Sequence, residues 1–311
     1  MASRTILTDG IPSPLQSLET APMKPFPMPS LLLLALCGAF LVPAAGRGEP
    51  AVKTGEKIAF LGDSITQGGA NNASGYVRLV ISGLETNGIK ATMIPAGISG
   101  HKSNQMLERL DKDVISKQPD WMTLSCGVND VWHGANGVPL DAYEKNITAI
   151  VDRAQAAGIK VMILTATMIR EDATNSENQR LAPYNDFLRM LAAEKQCLLA
   201  DLNADMHAAL KPGPQHDHQL TSDGVHMNPL GDRLMARGIL KAFGLSEAEL
   251  KTADDVWLNT PNTCEVGGKT KLTLRQYEQL RQLAARRGTS VGNLLQDETA
   301  KAIDTLLQTA P

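Results

Sequence analysis

The stretch Phe60-Leu61-Gly62-Asp63-Ser64-Ile65-Thr66 decides the fold, because it joins an apolar run to a turn that carries an aspartate and a serine. An apolar run without polar alternation is typical of a strand buried on both faces of a parallel sheet. Ligands of such sheets bind beyond the carboxyl ends of the strands. The stretch therefore predicts that Ser64 lies at the functional edge of an α/β domain.

Similar apolar runs recur along the chain and alternate with helical patterns. Strands are predicted at residues 58–61, 92–94, 121–125, 160–166 and 197–201. Helices are predicted at 76–87, 103–116, 140–157 and 178–194, and a further helix after Asn228-Pro229, where an N-cap residue precedes proline. This alternation predicts a three-layer α/β/α sandwich with a parallel, flavodoxin-like five-stranded sheet and right-handed crossovers.

Three more fragments carry residues suited to catalysis. Gly97-Ile98-Ser99-Gly100 and Gly127-Val128-Asn129-Asp130 each follow an apolar run, and Asp223-Gly224-Val225-His226 lies near the other end of the same domain. A serine hydroxyl needs an imidazole to take its proton, and a carboxylate orients that imidazole. Taken singly, such residues are also ordinary helix caps, turn residues or loop residues. Four fragments in this order favour a hydrolase.

The four fragments resemble the four sequence blocks of the SGNH (GDSL-type) hydrolase superfamily, over roughly residues 56–245. The resemblance implies that Ser64 is the nucleophile, His226 the base and Asp223 the residue that orients it. It also implies an oxyanion hole formed by the backbone N–H groups of Ser64 and Gly100 and the side-chain amide of Asn129. Pro95-Ala96 departs from the family pattern, in which an asparagine often precedes the second block.

Three further residues are candidates for the substrate pocket. Asp63 is expected to brace the turn that carries the nucleophile rather than to catalyse. Trp132 and His133 follow the Asn129 block and are candidates for lining the acyl pocket, with simple surface exposure as the alternative.

The N-terminal segment is predicted to lie outside the fold. An apolar run from Leu31 to Val42 is too short to span a bilayer comfortably, and Ala44-Ala45-Gly46 follows it as a small-residue cleavage site. We interpret residues 1–48 as an upstream segment and a secretory signal peptide, with an uncleaved membrane anchor as the alternative. The protein is therefore expected to be exported, periplasmic or secreted, without stable membrane insertion after cleavage.

No metal or cofactor is predicted. The cysteines that remain after cleavage, Cys126, Cys197 and Cys264, have no metal-binding spacing. We expect Cys126 to be a small buried residue, and nothing in the sequence supports a Cys197–Cys264 disulfide. His216 and His218 flank Asp217, which we interpret as a solvated loop rather than a metal site.

The composition changes after the hydrolase domain, which is assigned to residues 49–248. Residues 249–268 are predicted to be a linker and residues 269–311 a helical extension, with a short strand at 271–275 and helices at 276–287 and 290–307. The extension weakly resembles a ribbon-helix-helix unit and has seven Lys or Arg against four Asp or Glu. Because a signal peptide argues against DNA, we expect no nucleic-acid partner. A helical hairpin that packs on the domain or on a second subunit is favoured, and a homodimer is one outcome.

The substrate class follows from the resemblance, the charge of the chain and its predicted export. The resemblance implies hydrolysis of carboxylic esters, and its members include acetylesterases, lysophospholipases, thioesterases and lipases. With a net charge of -3, the chain gives no general sign of binding polyanions. Export disfavours acyl-CoA thioesters, and the sequence has no long apolar lid segment for long-chain lipids. Small acyl groups on extracellular carbohydrate are therefore the expected substrate. A non-catalytic binding protein with the same fold would be expected to lack a member of the triad, and none is missing.

Overall fold

The fold was determined from a computed structural model, which describes residues 48–211, 218–260 and 274–309. The strands are β1 (Lys57–Gly62), β2 (Thr92–Gly97), β3 (Trp121–Ser125), β4 (Lys160–Leu164) and β5 (Leu198–Ala200). The helices are α1 (Ser64–Asn71), α2 (Tyr76–Thr86), α3 (Ser103–Asp113), α4 (Val128–Trp132), α5 (Leu140–Ala156), α6 (Ser176–Glu194), α7 (Leu202–Ala209), α8 (Pro229–Ala242), α9 (Glu247–Asn259), α10 (Leu274–Arg286) and α11 (Val291–Thr309).

The five strands form one parallel sheet in the order β2-β1-β3-β4-β5. The predicted three-layer α/β/α fold is therefore confirmed. The chain leaves β1 toward one edge of the sheet and continues from β3 toward the other, so the order reverses between these two strands. In open α/β sheets this reversal opens a crevice at the carboxyl ends of the strands, where ligands bind.

Helices cover both faces of the sheet and bury its apolar strands. On one side α2 packs against α8 and α9, and on the other α5 packs against α3 and α6. Ile58, Phe60, Met122 and Leu124 in the central strands are all almost fully buried. Burial on both faces explains why these strands appear in the sequence as continuous apolar runs.

Two predicted strand ends differ from the structure for a local reason. The fifth strand ends at Ala200 rather than at residue 201, because the Asp201 carboxylate accepts the N–H of Ala204 and caps α7. The fourth strand ends at Leu164 instead of residue 166, and the next residues form a loop held by Asn185, which bonds the N–H and C=O of Ala166. The predicted helix start at Asn228-Pro229 is confirmed, since the Asn228 side chain accepts the N–H groups of Leu230 and Gly231.

The predicted linker at residues 249–268 is wrong for residues 249–259, which belong to helix α9. Ser246 and Glu249 form a capping box at its start, and Leu250, Ala253 and Trp257 are buried on one face. The Asp254 side chain of this helix is 8% exposed and pairs with two arginines of α8, Arg233 and Arg237. The folded domain therefore continues past residue 248, and residues 261–268 lie outside the described part.

The C-terminal extension forms the two predicted helices, α10 and α11, joined at Gly288. They contact each other, and Ala284 and Leu294 are buried. The short strand predicted at 271–275 is wrong for its last two residues, because Leu274 and Arg275 begin α10. Residues 271–273 lie outside the described part of the chain.

Candidate active site

The turn after β1 places Ser64 at the N-terminus of a helix. The Asp63 carboxylate caps α1 by accepting the N–H of Ile65 at 2.9 Å, and Ser64 is the first helical residue. Helix N-termini present free N–H groups and favour negative charge, so this position suits a group near which an oxyanion forms. Asp63 therefore braces the turn.

Ser64, His226 and Asp223 form a hydrogen-bonded chain. Ser64 Oγ lies 2.9 Å from His226 Nε2, and His226 Nδ1 lies 2.7 Å from Asp223 Oδ2. The other carboxylate oxygen of Asp223 accepts the backbone N–H groups of His226 and Val225 at 2.8 and 3.0 Å. The structure thus brings together all three residues predicted to be catalytic. Ser64 and His226 are 162 residues apart in the sequence.

The surroundings of Asp223 favour its charged form. Its partial burial raises the pKa, but hydrogen bonds from the His226 side chain and from the N–H groups of His226 and Val225 outweigh it. The pKa of Asp223 is therefore lowered. A carboxylate that stays charged can hold the imidazole in one tautomer and stabilise an imidazolium.

A carboxylate that the sequence did not reveal anchors the segment leading to Asp223. Glu171 Oε1 accepts the N–H groups of Leu220 and Thr221 at 2.7 Å and the Thr221 hydroxyl at 2.8 Å. Its other oxygen accepts the N–H of Gln219. Although burial alone would raise it, the pKa of Glu171 is lowered by these bonds. No local motif marks Glu171, because its partners lie 48 to 50 residues away.

The residues predicted to form an oxyanion hole follow three neighbouring strands of the sheet. Ser64, Gly100 and Asn129 come after β1, β2 and β3, respectively. Gly100 has a φ of 77°, in the left-handed region that glycine adopts without strain. Asn129 is buried, and its side-chain amide donates to the carbonyl of His101 at 3.2 Å and lies 3.4 Å from Asp63 Oδ2. The three residues share the edge that carries Ser64.

Similarity to known proteins identifies the family of the chain. The model of the GDSL-like Lipase/Acylhydrolase family matches residues 60–234, which is more than half of the chain. The chain belongs to this family. It is 27% identical over 214 residues to an acetylxylan esterase of Geobacillus stearothermophilus, covering 62% of this chain and 96% of the relative.

Solved structures of acetylxylan esterases have the same fold as this GDSL-like chain. The acetyl xylan esterase AlAXEase is 36% identical, with a TM-score of 0.57 over 60% of this chain and 98% of its own. The Geobacillus stearothermophilus enzyme Axe2 is 26% identical, with a TM-score of 0.56 over 63% of this chain and 97% of its own. Structures also exist of catalytic mutants of Axe2 in which an aspartate or a serine is replaced by alanine.

Two further acidic residues of this GDSL-like site are buried. Burial raises the pKa of Asp63 to about 6, and Asp130 adds to the effect, whereas the Ile65 N–H and His226 oppose it. Burial also raises the pKa of Asp130, which accepts the N–H of Ser103 at 3.0 Å. The Cys126 thiol donates to Asp130 at 3.4 Å and is buried, as predicted. These groups support the turns and do not form part of the Ser64 chain.

The two aromatic pocket candidates differ in their distance from the ring of His226. The Trp132 ring is 39% exposed and stands edge-on to the His226 ring, with 6.4 Å between their centroids. The His133 ring lies 6.2 Å from that of Trp132 and on an exposed turn. Trp132 therefore borders the site directly, and His133 adjoins it through Trp132.

Clusters of metal-ligating side chains and membrane-spanning helices are both absent from the described residues. Within residues 48–211, 218–260 and 274–309, no cluster of three or more His, Cys, Asp or Glu could hold a metal ion. Over the same residues, no helix is both long and apolar enough to cross a membrane. His216, Asp217 and Cys264 lie outside the described residues, so the predictions made for them stay predictions.

Proposed function

We propose that this protein is a serine esterase that removes small acyl groups, acetyl above all, from extracellular carbohydrate. The observation that carries the proposal is the chain of contacts from Ser64 Oγ through His226 to Asp223, at 2.9 and 2.7 Å. These are the distances at which a histidine takes the proton of a serine while a carboxylate orients it. A non-catalytic binding protein has no need for this alignment.

The mechanism follows from these positions. Ser64 Oγ attacks the ester carbonyl while His226 Nε2 accepts its proton, and His226 then returns that proton to the leaving alcohol. The N–H groups of Ser64 and Gly100 and the amide of Asn129 stabilise the charge on the carbonyl oxygen. Loss of one of these oxyanion donors typically costs about 3–4 kcal/mol of transition-state stabilisation. Water, activated by His226, then hydrolyses the acyl-enzyme.

Two observations support a carbohydrate ester as the substrate. The relatives described above are acetylxylan esterases, and the partly exposed Trp132 ring borders the site, where an aromatic face can pack against a sugar. A small acyl group also needs no extended apolar channel. We further propose that residues 1–48 direct export, because a polymeric glycan meets the enzyme outside the cell.

The test is hydrolysis of p-nitrophenyl esters from acetate to palmitate, together with acetate release from acetylated xylooligosaccharides. We expect the shortest esters to react fastest and the Ser64→Ala variant to lose activity by about 10⁴-fold or more. Ser116→Ala, which removes an exposed serine hydroxyl bonded to the carbonyl of Lys112, is the matched control and should retain full activity. Activity that peaks at long chains would move the assignment to lysophospholipids. Preference for thioesters would indicate a thioesterase.

The C-terminal helices are proposed to serve assembly. Four apolar side chains of α11 are exposed: Leu295, Ile303, Leu306 and Leu307. Such a face is stabilised by burial against another surface, and a second copy of the chain is the proposed one. Deleting residues 269–311 should then convert a dimer into a monomer, measured by light scattering, with the esterase activity retained. The assembly role is refuted if the deletion variant still has the molar mass of a dimer. Salt-sensitive DNA binding by the full chain would instead assign the helices to nucleic acid.

A further inference from the structure

One buried guanidinium contacts the ends of two strands, each of which is followed by a proposed oxyanion donor. Arg109 of α3 is 9% exposed. Its Nη2 donates to the carbonyl of Gly62, the last residue of β1, and its Nη1 to the carbonyl of Ala96 in β2, both at 2.8 Å. The same Nη1 pairs with Asp113 one turn along α3 at 3.0 Å, which holds the guanidinium in place.

The third nitrogen of the Arg109 side chain, Nε, is linked through His101 to Asn129, which follows β3. Arg109 Nε–H donates to His101 Nδ1 at 3.1 Å, and the His101 carbonyl accepts the side-chain amide of Asn129 at 3.2 Å. His101 directly follows Gly100. Burial lowers the pKa of His101, and the charge of Arg109 lowers it further, against the opposing effect of Asp113 and Glu108. The neutral ring leaves Nδ1 free to accept the Arg109 N–H.

We propose that Arg109, acting through His101, is a positioning residue that fixes the three oxyanion donors relative to one another. This inference rests on the proposed esterase function. The donors follow three separate strands, and stabilisation of an oxyanion requires them to be in place before the charge forms. A planar guanidinium holds several acceptors in one fixed geometry, whereas the single ammonium of lysine cannot reproduce that geometry.

The first test is Arg109→Lys, which keeps the positive charge and removes the planar guanidinium group with its several donors. We expect kcat on p-nitrophenyl acetate to fall by about 10- to 100-fold, while KM changes by less than about threefold, because the donors act mainly in the transition state. Arg153→Lys is the matched control, since Arg153 pairs with Asp111 on the surface, and it should keep kcat. When Asn129 is already alanine, the fold-loss of kcat caused by Arg109→Lys should be at least about threefold smaller, because one of the donors that Arg109 positions is gone.

A second pair of variants separates positioning from folding. His101→Asn keeps a side-chain acceptor near the place of Nδ1, and His101→Leu removes it at similar size. We expect His101→Asn to retain kcat within about threefold and His101→Leu to lose at least about tenfold, with the near-ultraviolet circular dichroism of both unchanged. The inference is overturned if Arg109→Lys keeps kcat, if its loss adds fully to that of Asn129→Ala, or if the two His101 variants are equally active.

A spectroscopic measurement distinguishes failure of this inference from failure of the proposed function. The ¹⁵N shift of His101 Nδ1 at about pH 8 should report an unprotonated, hydrogen-bonded nitrogen, as the Arg109 Nε contact requires, and should change in Arg109→Lys. A wild-type protein that hydrolyses no ester would refute the esterase proposal, whereas the shift would still support the Arg109–His101 contact. A shift that is insensitive to Arg109→Lys in an active enzyme would refute the positioning role alone.

Discussion

Replacing Gly97 with alanine should displace the proposed nucleophile without touching it. Gly97 ends β2, and a Cβ at this position would lie 2.4 Å from the backbone N of Gln67 and 2.7 Å from the carbonyl carbon of Thr66. Non-bonded carbon atoms sit about 3.5 Å apart, so β2 and α1 must separate by about 1 Å. Both contacted atoms belong to the backbone of α1, which begins at Ser64, so no side-chain rotation relieves the clash.

A shift of this size lengthens the 2.9 Å contact between Ser64 Oγ and His226 Nε2 beyond hydrogen-bonding range. We therefore expect Gly97→Ala to lower kcat on p-nitrophenyl acetate by about 100-fold, and the free energy of unfolding by about 1–3 kcal/mol. Gly68→Ala is the control, because in α1 its Cβ would make only an ordinary contact, 3.6 Å from the Asn72 side chain. A Gly97→Ala enzyme with wild-type kcat and urea midpoint would refute the reasoning.

Three more predictions concern groups that the structure buries or bonds. Burial raises the pKa of Asp232 to about 7 from 3.8, so the folded protein favours the neutral carboxyl group. The stability of the fold therefore falls as the pH rises from about 4 through 7 and this buried group becomes charged. Asp232→Asn should raise the free energy of unfolding in urea by up to about 4 kcal/mol at pH 8 and by nearly nothing at pH 4, and equal effects at both would contradict this. Glu171→Gln should lower kcat by about tenfold and stability by about 1–3 kcal/mol, because an amide has one acceptor oxygen where four donors bind the carboxylate; unchanged values would exclude the anchoring role. Trp257→Ala should cost about 3–5 kcal/mol in the same assay, whereas a residue in a linker would cost almost nothing.

The strands and the edge they form were predictable because their cause is local. Residues 58–61 are apolar throughout and residues 121–125 are all buried, since a parallel strand between two helical layers has no solvated face. A residue predicted to act in catalysis then follows each run within four residues, as Ser64 follows β1 and Asn129 follows β3. Because the carboxyl ends of parallel strands lie at one edge of the sheet, residues that follow different strands in the sequence are predicted to lie close together.

The supports that Arg109 and Glu171 give to the site were not predictable, because each is a contact between distant residues. Arg109 reaches the Gly62 carbonyl across 47 residues, and Glu171 reaches Thr221 across 50. Neither lies in a recognisable motif. Helix α9 was missed for a related reason, since its buried Asp254 is paired by Arg233 and Arg237, which lie 21 and 17 residues away in the sequence. Its capping box, Ser246 followed by Glu249, was a local signal that could have revealed it.

The acidic residues around His226 divide into two kinds, and this division supports the proposed roles. Hydrogen bonds lower the pKa of Asp223, whereas burial raises that of Asp63 to about 6. Near pH 6 Asp63 is therefore partly neutral while Asp223 is fully charged. Carboxyl groups whose environments separate their pKa values in this way serve different functions. A charged Asp223 on Nδ1 can stabilise an imidazolium throughout the neutral range. Asp63 contributes mainly its hydrogen bond to the Ile65 N–H, which an asparagine could also accept. Asp63→Asn should therefore preserve more activity than Asp223→Asn, and a reversed order of the two losses would exchange the roles assigned here.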